Sequence, residues 1–356
     1  MRAARLIIGT VAIAASLGAA VVVISNDHSD VPTRARVSSR PRTAAHPTPA
    51  GQLAGSSHPS SATNVPSRPP SAFAVGLRVL QLVDASRTIS LPNGEVEPRA
   101  VRTIVRYPAI GPVNGTDLRN ASAARLDGPF PLVIFGHGFS VTPGVYAHLL
   151  QAWARAGYVV AAPVFPLGNA NAPGGPNESD LPNQPADMRF VISKLLALSS
   201  AASGPLAGLL DPKAIAVSGQ SDGGDTALAA ADNDYYRDRR ITAAAILSGA
   251  EIPGMGGYTF SPGSPPLLAT QGTADTINTP AETELFFQDA HRPKYLLRLL
   301  GAGHLPPYRS EQPQLGVVER VTIAFFDAYL KHEPAALRHL ASVGRVGGVA
   351  SLLSYP

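Results

Sequence analysis

The 356-residue chain has no cysteine. Disulfides, thiolate metal sites and a lipidated N-terminal cysteine are therefore excluded. Charge is sparse, with 15% Asp, Glu, Lys and Arg, and it is unevenly spread. Residues 1–72 hold seven Arg and two Asp, a net of +5, whereas residues 73–356 hold 22 basic and 23 acidic side chains, a net of −1. The basic character belongs to the N-terminal segment, and the remainder lacks the basic footprint of a nucleic-acid binder. No group of His, Asp and Glu has metal-ligand spacing, and no glycine-rich phosphate loop is present, so neither a metal nor a cofactor is expected. No internal repeat is visible. What the chain has is apolar bulk, 45% hydrophobic residues, which is enough for one large core.

The run from Leu6 to Ile24 carries no charge and follows Arg2 and Arg5. It is long enough to cross a bilayer as a helix and exceeds the usual apolar core of a signal peptide. The small residues at 14–20 leave cleavage open, and the reading favours an uncleaved membrane anchor over a cleaved signal. Either way the rest is exported, so the expected location is extracytoplasmic, anchored or secreted. Residues 25–72 are rich in Ser, Thr, Pro, Ala and Arg and have almost no large apolar side chains. Such a segment cannot bury enough surface to offset its ordering entropy, and it reads as a disordered linker.

A globular pattern begins at Phe73. Residues 76–83 and 99–107 alternate apolar and polar, as in two antiparallel strands at a sheet edge. Continuous apolar runs at 131–135, 158–162, 215–219, 243–247, 266–270 and 295–300 read as buried parallel strands. Helical segments are expected at 145–156, 186–198, 281–290 and 315–330, with a Pro-, Gly- and Asn-rich loop at 165–185. Strands alternating with helices predict one α/β domain with a mostly parallel sheet. Its expected extent is 73–335, leaving 336–356 as a Gly- and Ala-rich tail.

The stretch that organises this domain is Gly219-Gln220-Ser221-Asp222-Gly223. It follows an apolar strand and precedes an alanine-rich helix, the context of a nucleophile elbow. A bare Gly-x-Ser-x-Gly arises readily by chance, so the partners decide. A serine hydroxyl needs a base beside it and an acid to orient that base. His304, in Gly303-His304 just after a strand, is the candidate base. Asp275, in Gly272-Thr273-Ala274-Asp275, follows the preceding strand and is the candidate acid. Glu251, one strand earlier, is the possible alternative acid. The order Ser221, Asp275, His304 is the nucleophile–acid–base order of one large hydrolase class. Two N–H donors are needed for the oxyanion, and the candidates are Asp222, after the nucleophile, and Phe139, in Gly136-His137-Gly138-Phe139. His137 reads as a loop-ordering residue. Asp187, Asp222 and Asp225 read as helix caps.

Over residues 75–331 these motifs resemble the α/β-hydrolase superfamily. Within it the chain is most similar to the exported bacterial group containing dienelactone hydrolase, chlorophyllase, platelet-activating-factor acetylhydrolase and cutinase-like polyester hydrolases. The resemblance implies a sheet of about eight strands flanked by helices. It also implies carboxylic-ester hydrolysis through an acyl-enzyme on Ser221. Two departures stand out. Gln220 replaces the histidine often found before the serine, and Asp222 replaces a residue that is often Met, Arg or Phe. The acetylhydrolases place the acid one strand before Asp275, where this chain has Ser248. The expected partner is a small-molecule or lipid-like ester, with a monomeric catalytic domain and the membrane contacted only by the N-terminal segment. An envelope acyltransferase using the same triad, and a non-catalytic envelope protein that kept the fold, are the alternatives.

Overall fold

A computed structural model describes residues 72–356. The expected anchor at 6–24 and all but the last residue of the expected linker lie outside the described residues. Among the described residues, no helix is long and apolar enough to cross a membrane.

The chain opens with a long hairpin, β1 (Ala74–Ser90) and β2 (Val96–Ala109), paired antiparallel as the alternating pattern predicts. A short β3 (Asp117–Arg119) follows. Then the alternation of strand and helix begins: β4 (Phe130–Gly136), α1 (Ala147–Arg155), β5 (Val159–Pro163), α2 (Gln184–Ser200) and β6 (Leu210–Gln220). It continues with α3 (Asp222–Asp232), β7 (Ala243–Leu247), β8 (Leu267–Gly272), α4 (Pro280–Asp289) and β9 (Lys294–Leu299). Three helices and a strand close the fold: α5 (Pro306–Arg309), α6 (Gln314–Tyr329), α7 (Pro334–Val343) and β10 (Ala350–Tyr355).

The sheet order is β10-β9-β8-β7-β6-β4-β5-β2-β1-β3. The strands from β5 to β9 pair in parallel, and β2 and β10 flank them antiparallel. Successive side chains of a strand face opposite ways, so each central strand feeds two cores. Ile134, Val217 and Ile246 pack with α2, α3 and α4 on one face. Val133, Ala216 and Ala245 pack with α1, α6 and α7 on the other. That is why these strands read as unbroken apolar runs: neither face is left to solvent.

The sheet has ten strands rather than about eight. The segment expected to be a tail from 336 is part of the domain. In α7, Leu340 is fully buried, and β10 pairs along the whole of β9. Ala350 and Leu352 of β10 are buried, but this short Ala-Ser-Leu-Leu-Ser-Tyr run carries no clear period of its own. Its strand conformation comes from pairing with β9, a tertiary contact that local sequence does not signal.

Candidate active site

Ser221 joins β6 to α3 with φ 58° and ψ −131°. Non-glycine residues rarely adopt this conformation, at a cost on the order of 1–3 kcal/mol. Three hydrogen bonds hold it. The Ser221 N–H donates to Leu247 O at 3.1 Å, and the Ser221 carbonyl accepts from the N–H groups of Gly224 at 2.6 Å and Asp225 at 2.9 Å. The turn also needs its glycines for space. A Cβ at Gly219 would stand 1.9 Å from the Gly223 carbonyl oxygen, and one at Gly223 would stand 2.1 Å from that of Gly136. No real side chain tolerates such contacts, so β4, β6 and α3 meet backbone to backbone here.

His304 and Asp275 are brought to this turn by neighbouring strands. The loops after β8 and β9 are tied together: Ala274 N–H donates to Ala302 O at 2.9 Å, and Gly301 N–H to Thr273 Oγ1 at 2.8 Å. His304 Nε2 lies 2.8 Å from Ser221 Oγ, and its Nδ1 lies 2.8 Å from Asp275 Oδ2. These partners require the imidazole proton on Nδ1, leaving Nε2 to accept from the hydroxyl. The Asp275 carboxylate is 4% exposed and also accepts the Ile277 N–H at 2.9 Å. Burial opposes its charge, but the hydrogen bonds from His304 and Ile277 prevail and hold its carboxyl below the ordinary value. Ser248 follows β7, where the acetylhydrolase-type acid would stand. Its hydroxyl meets Tyr308 Oη at 2.9 Å and further favours the charged form of Asp275. Glu251 makes no hydrogen bond to His304 among the described residues. It is half-buried and its carboxyl is raised, by burial first and then by Asp289.

The remaining site residues surround the elbow. Among the described residues no other residue accepts the N–H of Phe139 or of Asp222, and the Asp222 N–H also favours its own carboxylate. A Cβ on Gly138 would come 3.1 Å from Ser221 Cβ, which shows how closely this loop passes over the serine. His137 is buried. Its Nε2 accepts the Phe165 N–H at 3.0 Å, and its Nδ1 therefore donates to Gly138 O at 2.8 Å. Burial lowers its pKa to about 4, so the ring is a neutral brace between two loops. Asp225 accepts the Ala250 N–H at 2.6 Å, which makes it a tie to the loop after β7 rather than a helix cap. Asp187 likewise leaves the start of α2 uncapped and pairs with Arg99 and Arg87.

Fold and site geometry are those of one superfamily, and a family model described as Chlorophyllase matches residues 121–280. The chain belongs to the α/β-hydrolase superfamily. The matched span is a little under half of the chain. It contains Phe139, Ser221, Asp222 and Asp275 and stops short of His304. The match supports a family of hydrolases acting on esters. No curated protein matches the chain.

Sequence reasoning singled out Gln220 as a departure but not for what it does in this hydrolase. Its Oε1 accepts from Tyr146 Oη at 2.7 Å, and Tyr146 Oη accepts the Gly138 N–H at 3.2 Å. Its Nε2 donates to His304 O at 3.2 Å and lies 3.2 Å from His304 Nε2. Gln220 thus ties the Gly138 loop to the His304 loop through one side chain. Tyr146 was not foreseen at all, because a tyrosine in an otherwise apolar helical run reads as core. Gln220→Ala is expected to lower kcat about tenfold with little change in KM, since it loosens positioning rather than binding. Steady-state kinetics on one soluble ester checks this, and an unchanged kcat would refute it.

Proposed function

We propose that this protein is an exported serine hydrolase of carboxylic esters that works through Ser221, His304 and Asp275. The observation that carries the reading is the hydrogen-bonded chain from Ser221 Oγ through His304 to Asp275, with both links at 2.8 Å. His304 Nε2 takes the Ser221 proton as Oγ attacks the acyl carbonyl. Asp275 keeps the imidazole in the useful tautomer and stabilises its positive charge. The N–H groups of Phe139 and Asp222 receive the oxyanion. The alkoxide leaves with the proton from His304. Water, deprotonated by His304, then releases the acid and frees Ser221. The chlorophyllase-type match over 121–280 supports ester cleavage independently of this geometry.

The test is covalent labelling. An uncharged fluorophosphonate should add to the full chain at Ser221, as located by peptide mass spectrometry, and to no other serine. A folded protein whose Ser221 stays unlabelled would remove the reading.

We also propose that the uncharged run at 6–24 holds the protein in a membrane, with the hydrolase domain outside the cytoplasm. Fractionation should find the full chain in membranes, with the domain open to added protease in intact cells. A product found only in the medium, beginning beyond residue 20, would show a cleaved signal instead.

A further inference from the structure

Asp222 is at odds with the charge that the proposed reaction builds. Its backbone N–H is one of the two oxyanion donors, so its own carboxyl lies within one residue of the developing negative charge. The side chain is 8% exposed, and Oδ2 is buried with no hydrogen-bond partner. No ion pair among the described residues involves it. The nearby charges are mostly of its own sign. Glu178, from the loop after β5, further raises its carboxyl; its own backbone N–H and then His304 act the other way. Tyr146, buried behind, also feels its charge. Glu178 is exposed, but its place is set by the short turn Glu178–Asn183, in which Asp180 is held by Arg99 at 2.8 and 2.7 Å.

Such an arrangement is unfavourable on two counts. A carboxylate taken from water without a partner loses solvation. An anion beside an oxyanion hole also opposes the transition state, most strongly where water is excluded. A positive charge brought by the substrate removes both penalties at once. We infer that Asp222 and Glu178 form a cation-recognising subsite next to Ser221, and that the esters this enzyme prefers carry an ammonium group. The inference rests on the serine-hydrolase reading above. Burial first, and Glu178 second, push the Asp222 carboxyl up to about 6, so it is ionised at neutral pH and loses its charge as pH falls through that value. The preference should weaken in the same direction.

The test compares butyrylcholine with 3,3-dimethylbutyl butyrate, its uncharged isostere, using the full-length protein, with the concentration of reactive Ser221 set by titrating a separate sample with the uncharged fluorophosphonate. At pH 7.5 the kcat/KM for the choline ester should exceed that of the isostere by about tenfold or more. The ratio should fall towards one in Asp222→Asn, fall partway in Glu178→Gln, and shrink in the wild type as pH is lowered past about 6. The ratio is the readout because the Asp222 change will also alter absolute rates. If Ser221 is titrated and the ratio is near one, or the choline ester is not cleaved, the cation subsite is wrong and the hydrolase reading stands. If Ser221 is not titrated, the hydrolase reading itself fails. A ratio that survives in Asp222→Asn would remove Asp222 from the subsite.

Discussion

Asp275→Asn is expected to fold normally and to lose about 10⁴-fold in kcat on any ester the protein cleaves. Asp275 Oδ2 accepts the Nδ1 proton of His304 at 2.8 Å. An amide can place its NH₂ there instead, which favours the tautomer with the proton on Nε2. That nitrogen is then unable to accept from Ser221, and no imidazolium is stabilised. The fold should survive because the tie of Ala274 to Ala302 and that of Gly301 to Thr273 do not use this carboxylate. Glu251→Gln is the matched control and should lose less than about tenfold, since among the described residues Glu251 makes no hydrogen bond or ion pair with His304. The measurement is kcat for both variants on the same ester, with circular dichroism to confirm folding. If Glu251→Gln is the crippled protein and Asp275→Asn stays active, the acid is Glu251.

Arg99→Ala is expected to destabilise the domain by about 3–5 kcal/mol. Arg99 is 2% exposed and makes four hydrogen bonds to two buried carboxylates, those of Asp180 and Asp187, at 2.6–2.8 Å. It thereby fastens strand β2 to both the loop after β5 and the start of α2. Arg87 also reaches Asp187, at 2.7 Å, and is only partly buried, so it cannot compensate for both carboxylates. Removing the guanidinium leaves two acids in the interior. Burial already raises the Asp187 pKa, with the arginines opposing it, so in the variant the folded-state value must rise further. The penalty should therefore be full above that raised value and shrink as pH falls through it towards the ordinary carboxylate range. Urea unfolding at pH 7 and at pH 5 checks both size and sign. A loss under about 1 kcal/mol at pH 7 would show that water reaches these carboxylates.

Much of this was legible before any coordinates. The strands around the elbow were readable because burial on both faces leaves an unbroken apolar run, and β7 falls where the run at 243–247 placed it. Ser221, Asp275 and His304 were readable because each follows a strand end in a short turn containing glycine. Other features left no local trace. β10 exists because β9 offers it an edge, and six small or mildly apolar residues do not announce that. Arg99 looked like one polar residue in an alternating edge strand, since nothing in 99–107 indicates that Asp180 and Asp187 converge on it. Gln220 and Tyr146 are joined across 74 positions, and such a link is invisible to any short window.

The three proposed reacting side chains leave the sheet at three strand ends, and the proposed cation subsite draws on a fourth. Ser221 and Asp222 follow β6, Asp275 follows β8 and His304 follows β9, whereas Glu178 comes from the loop after β5. The loop after β5, like the loop after β7, carries none of the three reacting groups. For an engineer this is a division of labour along the edge of the sheet. The stretches 170–178 and 253–263 are the places to insert, shorten or randomise when a new ester is wanted. Libraries confined to them should retain nucleophile strength while varying in what they accept.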